Sequence, residues 1–196
     1  GRIIGRAIAA LILPTMSNPA IAGRARTAPA PVAATAAQAA DPRLATALVR
    51  LARNPRDVAA LIDAGAAARD AHDLDAAIGF FTRADEIAPR DPRVLSGLGA
   101  ALADNNDPVA ALAAFDRALA AGAPDAAIAA DRGLAYDLVG DPVRAQACYR
   151  RALAANDDPQ TRRRLALSLA ITGDGPGAEA MLRPLLQQQD RAAWRA

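Results

Sequence analysis

A single histidine and a single cysteine bound the chemistry open to this 196-residue chain. Catalysis needs convergent polar groups, and few are offered here. His72 lies beside Asp73 in a short polar break between two apolar stretches, the setting of an exposed turn residue near a helix end. Cys148 precedes Tyr149 in a helical pattern and reads as a small, half-buried hydrophobe. One Cys excludes an internal disulfide, and one Cys with one His cannot build a zinc site of the usual composition. Gly173-Asp174-Gly175-Pro176-Gly177 is glycine-rich but lacks the preceding strand and the lysine of a phosphate loop, so it reads as a turn. Asp157-Asp158 and the aspartates from Asp70 to Asp75 lack EF-hand spacing and read as caps and turns. No catalytic residue, metal ligand or cofactor follows from these groups, and binding is the function left for the chain.

The elements that must carry any binding surface are set by a repeating frame. Gly65, Asp73, Ala77, Phe81 and Ala84 recur as Gly99, Asp107, Ala111, Phe115 and Ala118, and again as Gly133, Asp141, Ala145, Tyr149 and Ala152. A fixed period with small residues and an aromatic in a two-helix pattern signals a helical solenoid, whose units must stack to bury their apolar faces. Each unit divides at His72-Asp73, Asn106-Asp107 or Gly140-Asp141, where a turn former meets an aspartate suited to cap the next helix. Pro108 and Pro142 follow their aspartates at the first helical position, where a missing N–H costs nothing. The glycines fall inside the first helices at a cost of about 1 kcal/mol each relative to alanine. That recurrent cost implies close approach of the paired helices. Phe81, Phe115 and Tyr149 are the large side chains expected to fill space between one unit and the next.

This pattern resembles the tetratricopeptide repeat (TPR). Leu61, Gly65, Ala77, Phe81, Ala84 and Pro89 carry the likeness in the first unit, and Leu95, Leu98, Gly99, Ala111, Phe115 and Ala118 in the second. Gly133, Tyr136, Ala145, Tyr149 and Ala152 carry it in the third, although Arg132 stands at an expected apolar position. A fourth, divergent unit has Ala166 in the glycine seat, with Ala178, Leu182 and Leu185 following, and Pro184 is expected to kink or shorten its second helix. The resemblance implies an all-α fold, a right-handed α-α superhelix of antiparallel helix pairs. The units are expected at 58–91, 92–125, 126–158 and 159–190, with a capping helix or half repeat over 41–57. Asp190 to Trp194 resembles the opening of a further repeat, truncated at 191–196.

In TPR proteins the first helices line a concave groove that accepts an extended or helical peptide. The phase of the glycines then places Ile62, Ala66, Arg69, Asp70, Arg93, Ala100, Asp131, Asp137, Arg163 and Leu167 on that face. These charges fit either a groove or a solvated surface. Some relatives clamp a chaperone C-terminus with lysines and asparagines at this face, but the chain has no lysine and no asparagine falls there.

Composition agrees with thin, close packing: 53% of residues are hydrophobic, yet only 3% are aromatic, and alanine exceeds a quarter of the chain. Residues 1–22 have a plan of their own, with Arg2 and Arg6, an apolar run from Ala7 to Leu13, and Ala20-Ile21-Ala22. That is the plan of a secretory signal peptide, and the apolar run is well short of the ~20 residues of a membrane span. The other reading of the segment is an alanine-rich tail. Residues 23–40 read as an Ala/Pro-rich linker without periodicity. Loss of Arg2 and Arg6 leaves 21 basic and 21 acidic residues, so the pI of about 9.3 gives no support for a nucleic-acid partner. The expected location is periplasmic, or tethered at the inner membrane if the leader stays.

The stretches Asp131 to Asp141, Arg163 to Ser168 and Asp190 to Trp194 resemble exported bacterial TPR proteins that carry a C-terminal SPOR domain, a module absent from this sequence. That resemblance implies a non-catalytic envelope scaffold, linked through the missing module to peptidoglycan and cell division. The alternatives are a component of pilus assembly or secretion systems, whose relatives are commonly lipoproteins, and the recruiting arm of an enzyme whose catalytic domain lies beyond Ala196.

Overall fold

The computed structural model describes residues 41–193. The leader expected at 1–22, the linker at 23–40 and Trp194 in its apolar seat therefore lie outside the described residues. Within them the chain forms α1 (Pro42–Arg53), α2 (Val58–Asp70), α3 (Leu74–Ile87), α4 (Pro92–Asp104), α5 (Pro108–Ala120), α6 (Asp125–Leu138), α7 (Pro142–Ala155), α8 (Pro159–Ile171) and α9 (Gly175–Ala193), with no strand among the described residues. The pairs α2–α3, α4–α5, α6–α7 and α8–α9 pack most closely, and α1 lies against α2. The architecture is an all-α helical repeat solenoid.

The turns inside the pairs all have one construction. His72, Asn106, Gly140 and Gly173 adopt left-handed φ of 58°, 59°, 79° and 88°. The amide of His72 donates to the Arg69 carbonyl at 2.9 Å and that of Asp73 to the Ala68 carbonyl at 2.9 Å, the two bonds of a Schellman close. Asn106–Asp107, Gly140–Asp141 and Gly173–Asp174 repeat the pair. The aspartate that ends one helix then starts its partner: Asp73, Asp107 and Asp141 accept from the amides of Ala76, Ala110 and Arg144. One residue thus satisfies orphan groups of two helices.

The glycines are seats for the aromatic rings. A Cβ added at Gly65, Gly99 or Gly133 would fall 2.8 Å from Phe81 Cε2, 2.7 Å from Phe115 Cε1 or 2.5 Å from Tyr149 Cε1, each ring belonging to the same pair. Phe81 is held from the far side as well, because a Cβ at Gly97 in the next pair would fall 2.5 Å from its Cζ. The rings are buried, as are Ala77, Ala84, Ala111, Ala118, Ala145 and Ala152 on the second helices. Burying a phenylalanine is worth up to about 3 kcal/mol, enough to offset the glycine beneath it.

The helix that carries Pro184 is longer than expected. Pro184 neither shortens its helix nor is followed by a new one at Asp190, because α9 runs from Gly175 through Pro184 to Ala193. Residues 191–193 continue α9 within the described residues. A proline removes one ladder bond, and the buried Leu185 beyond it keeps the helix docked.

Candidate functional site

First helices of successive pairs pack directly, α2 to α4, α4 to α6 and α6 to α8, whereas the second helices α3 and α5 are bridged by the long Arg117 side chain, which pairs with Asp85 at 2.8 Å. The first helices therefore line the inner side of the curve. A cavity of about 520 Å³ opens there, lined from α2 by Arg69 and Asp70, from α4 by Asp104, from α6 by Asp131, and from α8 by Thr161 and Arg164. His72 and Asp158 also line it.

An ion-pair network spans the cavity. Arg69 Nε donates to Asp104 at 2.6 Å and its Nη2 to Asp131 at 3.0 Å. Arg164 approaches the same two carboxylates at 3.9 Å and 3.6 Å. The four side chains are between 21% and 29% exposed, mostly out of water yet still reachable. Burial works against the charge on Arg69, but the Asp131 and Asp104 carboxylates outweigh it and hold the guanidinium above its ordinary pKa.

The residues assigned to this face by phase separate into groups. Arg69 and Asp131 meet in the network, and Asp70 sits on the rim, where Arg43 pairs with it at 2.9 Å. Ala66 and Leu167 are exposed, whereas Ala100 is buried. Ile62 is half-buried against the core beside Phe80. Arg93 turns back to its own N-cap, Asp91, at 2.7 Å. Arg163 is exposed, and its neighbour Arg164 is the one that enters the network. Adjacent helical positions point about 100° apart, so an error of one residue exchanges the two.

Asp137 does not face the groove. Its carboxylate accepts from the Tyr149 hydroxyl at 3.0 Å and from the Ser168 hydroxyl at 2.8 Å, tying α6 to α7 and α8. It occupies the same station as Arg69, four residues after the seat glycine. An arginine there is long enough to reach the inner face, and an aspartate is caught lower down. Burial, then the charge of Asp137, pushes the Tyr149 phenol far above its usual pKa.

Asp104 and Arg164 were not among the expected groove residues. Their signal is positional: Asp104 follows Gly99 by the same five residues that separate Asp70 from Gly65, and Arg164 precedes Ala166 as Asp131 precedes Gly133. A second recurrent arginine also appears. Arg83 donates to the Pro55 carbonyl at 2.6 Å, Arg117 to the Pro89 carbonyl at 3.3 Å, and Arg151 pairs with Asp125. The first two pin their second helices to the joint ahead of their own pairs, and Arg151 pins α7 to the first residue of α6 just past that joint. At α6 that joint is unusual, because the N-cap is Pro124 and offers no side-chain bond. Asp125 is thereby free to pair with Arg151 and with Arg132, which is only 13% exposed and stands at 3.0 Å.

Cys148 is half-buried, and burial raises its thiol pKa. Among the described residues no group of three or more His, Cys, Asp or Glu side chains is placed to hold a metal, and no helix is long and apolar enough to cross a membrane.

No family model matches the chain, and no curated protein matches its sequence. Solved structures do match. TTC0263, a thermophilic TPR protein of Thermus thermophilus, superposes with a TM-score of 0.64 at 24% identity, over 74% of this chain and 80% of that one. The fold is a TPR solenoid. PilW, a type IV pilus biogenesis factor, also gives 0.64 at 24% identity, over 71% of this chain and 65% of its own. YrrB, a TPR protein with an unusual peptide-binding site, gives 0.57 at 20% identity, over 72% of this chain and 74% of that one. The TPR solenoid described here shares architecture with all three.

Proposed function

We propose that this TPR solenoid is a binding scaffold that holds a protein or peptide segment along the inner faces of α2, α4, α6 and α8. The observation that carries the reading is the cavity crossed by Arg69, Asp104, Asp131 and Arg164, with charged groups part-exposed where a segment would lie. YrrB, with its peptide-binding site, lends support. The chemistry available in the groove is recognition: ion pairs, hydrogen bonds and apolar contacts from helices held rigid by the aromatic seats.

The scaffold is read as exported to the cell envelope, on the plan of residues 1–22, with a peptidoglycan or cell-division link through a SPOR module as its finer form. The likeness to PilW favours a second reading, a part in pilus assembly. A photo-crosslinking residue at Ala66 or Leu167 is expected to capture partner protein in cells, and one at Val143, on a second helix, is not. Equal capture from Val143 would refute the groove. Export is tested separately by fusing alkaline phosphatase after residue 40, where an inactive fusion would refute it.

A further inference from the structure

The inner face is divided into two chemistries. Around the ion pairs the cavity is lined by four carboxylates, Asp70, Asp104, Asp131 and Asp158, against two guanidiniums, Arg69 and Arg164. Arg43 reaches Asp70 only from the rim, in a pair whose members are 61% and 58% exposed and which is therefore weak. Farther along α6 and α8 the same face turns apolar. Leu138 and Ile171 occupy the station that Asp70 and Asp104 hold in the earlier pairs, five residues after the small seat. They are 41% and 74% exposed, and Leu167, one turn before Ile171 on the same face, is 63% exposed.

We propose that the groove is built for a partner segment that carries a basic side chain and an aliphatic or aromatic one in a fixed spacing. The basic group enters the carboxylate-rich cavity at Asp104 and Asp131, and the apolar one covers Leu138, Leu167 and Ile171. The inference rests on the groove reading above and specifies its partner. The spacing follows from helix geometry. Asp131 to Leu138 in α6 and Arg164 to Ile171 in α8 are each seven residues apart, about 10 Å along the axis. An extended segment covers that distance in about three residues. Both requirements come from charge and exposure: with Asp104 and Asp131 shared between Arg69 and Arg164, Asp70 and Asp158 still leave the cavity lining richer in carboxylates than in guanidiniums, and three large apolar side chains on its flank are exposed. An acidic segment would place carboxylates against Asp104 and Asp131 and is selected against.

The test is selection from a randomised peptide display library on the purified chain, followed by binding of the enriched peptides by fluorescence anisotropy. Enriched peptides are expected to carry Arg or Lys about three residues from Leu, Ile or Phe. Replacing the basic residue by Glu is expected to weaken binding at least about tenfold, with a loss that shrinks in high salt. Leu138→Ser with Ile171→Ser should abolish the preference for the apolar residue and keep that for the basic one. Asp131→Asn should do the reverse, with circular dichroism confirming that each variant is folded.

Enrichment of acidic or purely polar peptides that still lose binding in these variants would overturn the partner chemistry and leave the groove standing. No enriched peptide, or peptides indifferent to every groove substitution, would sink both readings. Self-association of the chain that Ile171→Ser abolishes would identify a second copy as the occupant and overturn the basic–apolar segment.

Discussion

Gly97→Ala and Gly79→Ala place the same methyl group on two helices of one protein and are expected to move its stability in opposite directions. At Gly79, exposed in α3, nothing lies within 4 Å of the new Cβ. The change should recover the helix-propensity cost of glycine, about 1 kcal/mol. At Gly97 the Cβ would fall 2.5 Å from Phe81 Cζ, and the ring cannot retreat because Gly65 holds its other face. Overpacking of this kind costs about 1–3 kcal/mol, and the two-sided clamp puts it toward the upper end. Both variants share the propensity gain, so the difference between them isolates the packing term, about 2–3 kcal/mol. For a domain of this size 1 kcal/mol shifts the melting temperature by about 2–4 °C, which separates the variants by about 5–10 °C in a circular dichroism melt. Adding Phe81→Leu should make the Gly97→Ala loss markedly less than additive, since the smaller side chain vacates the contact. A Gly97→Ala protein that melts at or above the parent would refute the seat argument.

Other outcomes follow from the turns and the buried tyrosine. His72→Gly is expected to raise stability by about 0.5–1 kcal/mol in chemical denaturation, because a side chain at a φ of 58° is strained and glycine is not. Gly99→Leu should destabilise far more than His72→Ala, since it drives a side chain into the buried Phe115 ring, and comparable melting temperatures would contradict this. The Tyr149 phenol is held protonated in the folded chain, so the unfolded chain releases its proton first, and stability should fall as pH rises above about 10. Tyr149→Phe should remove that alkaline slope and, by losing one bond to Asp137, cost about 1 kcal/mol at neutral pH. The capping carboxylates are held below their ordinary pKa, those of Asp57, Asp141 and Asp158 chiefly by first-turn amides and that of Asp91 chiefly by the Arg93 side chain. Their stabilisation is present above about pH 4 and should be lost as pH falls below it, read as an acid-side decline in melting temperature.

Much of the fold could be read from the sequence because each frame residue does a local job. The turn former and its aspartate declare the break between helices, and the glycine and aromatic of one pair meet each other. What escaped the sequence depends on neighbours outside the frame. Gly97 has no counterpart in its own pair, since it exists for a ring of the pair before. Asp137 and Arg69 share a station, and side-chain length alone sends one inward to Tyr149 and the other out to Asp131. Arg163 and Arg164 differ by one step on the helix, and only Arg164 stands two residues before its small seat as Asp131 does. The continuity of α9 past Pro184 was likewise unreadable, being set by the burial of Leu185.

The third unit is a residue short, and this shows where the architecture tolerates change. The turns at 71–73, 105–107, 139–141 and 172–174 keep one length, because a single aspartate must finish one helix and begin another. The joints between pairs have no such double duty, and the shortening falls there, at 156–158 against 88–91 and 121–124. The helical hairpin is thus the indivisible module of the chain, and its joints are adjustable couplings. Insertions, tags or grafted repeats belong at the joints, where they would re-aim one hairpin against the next without opening either.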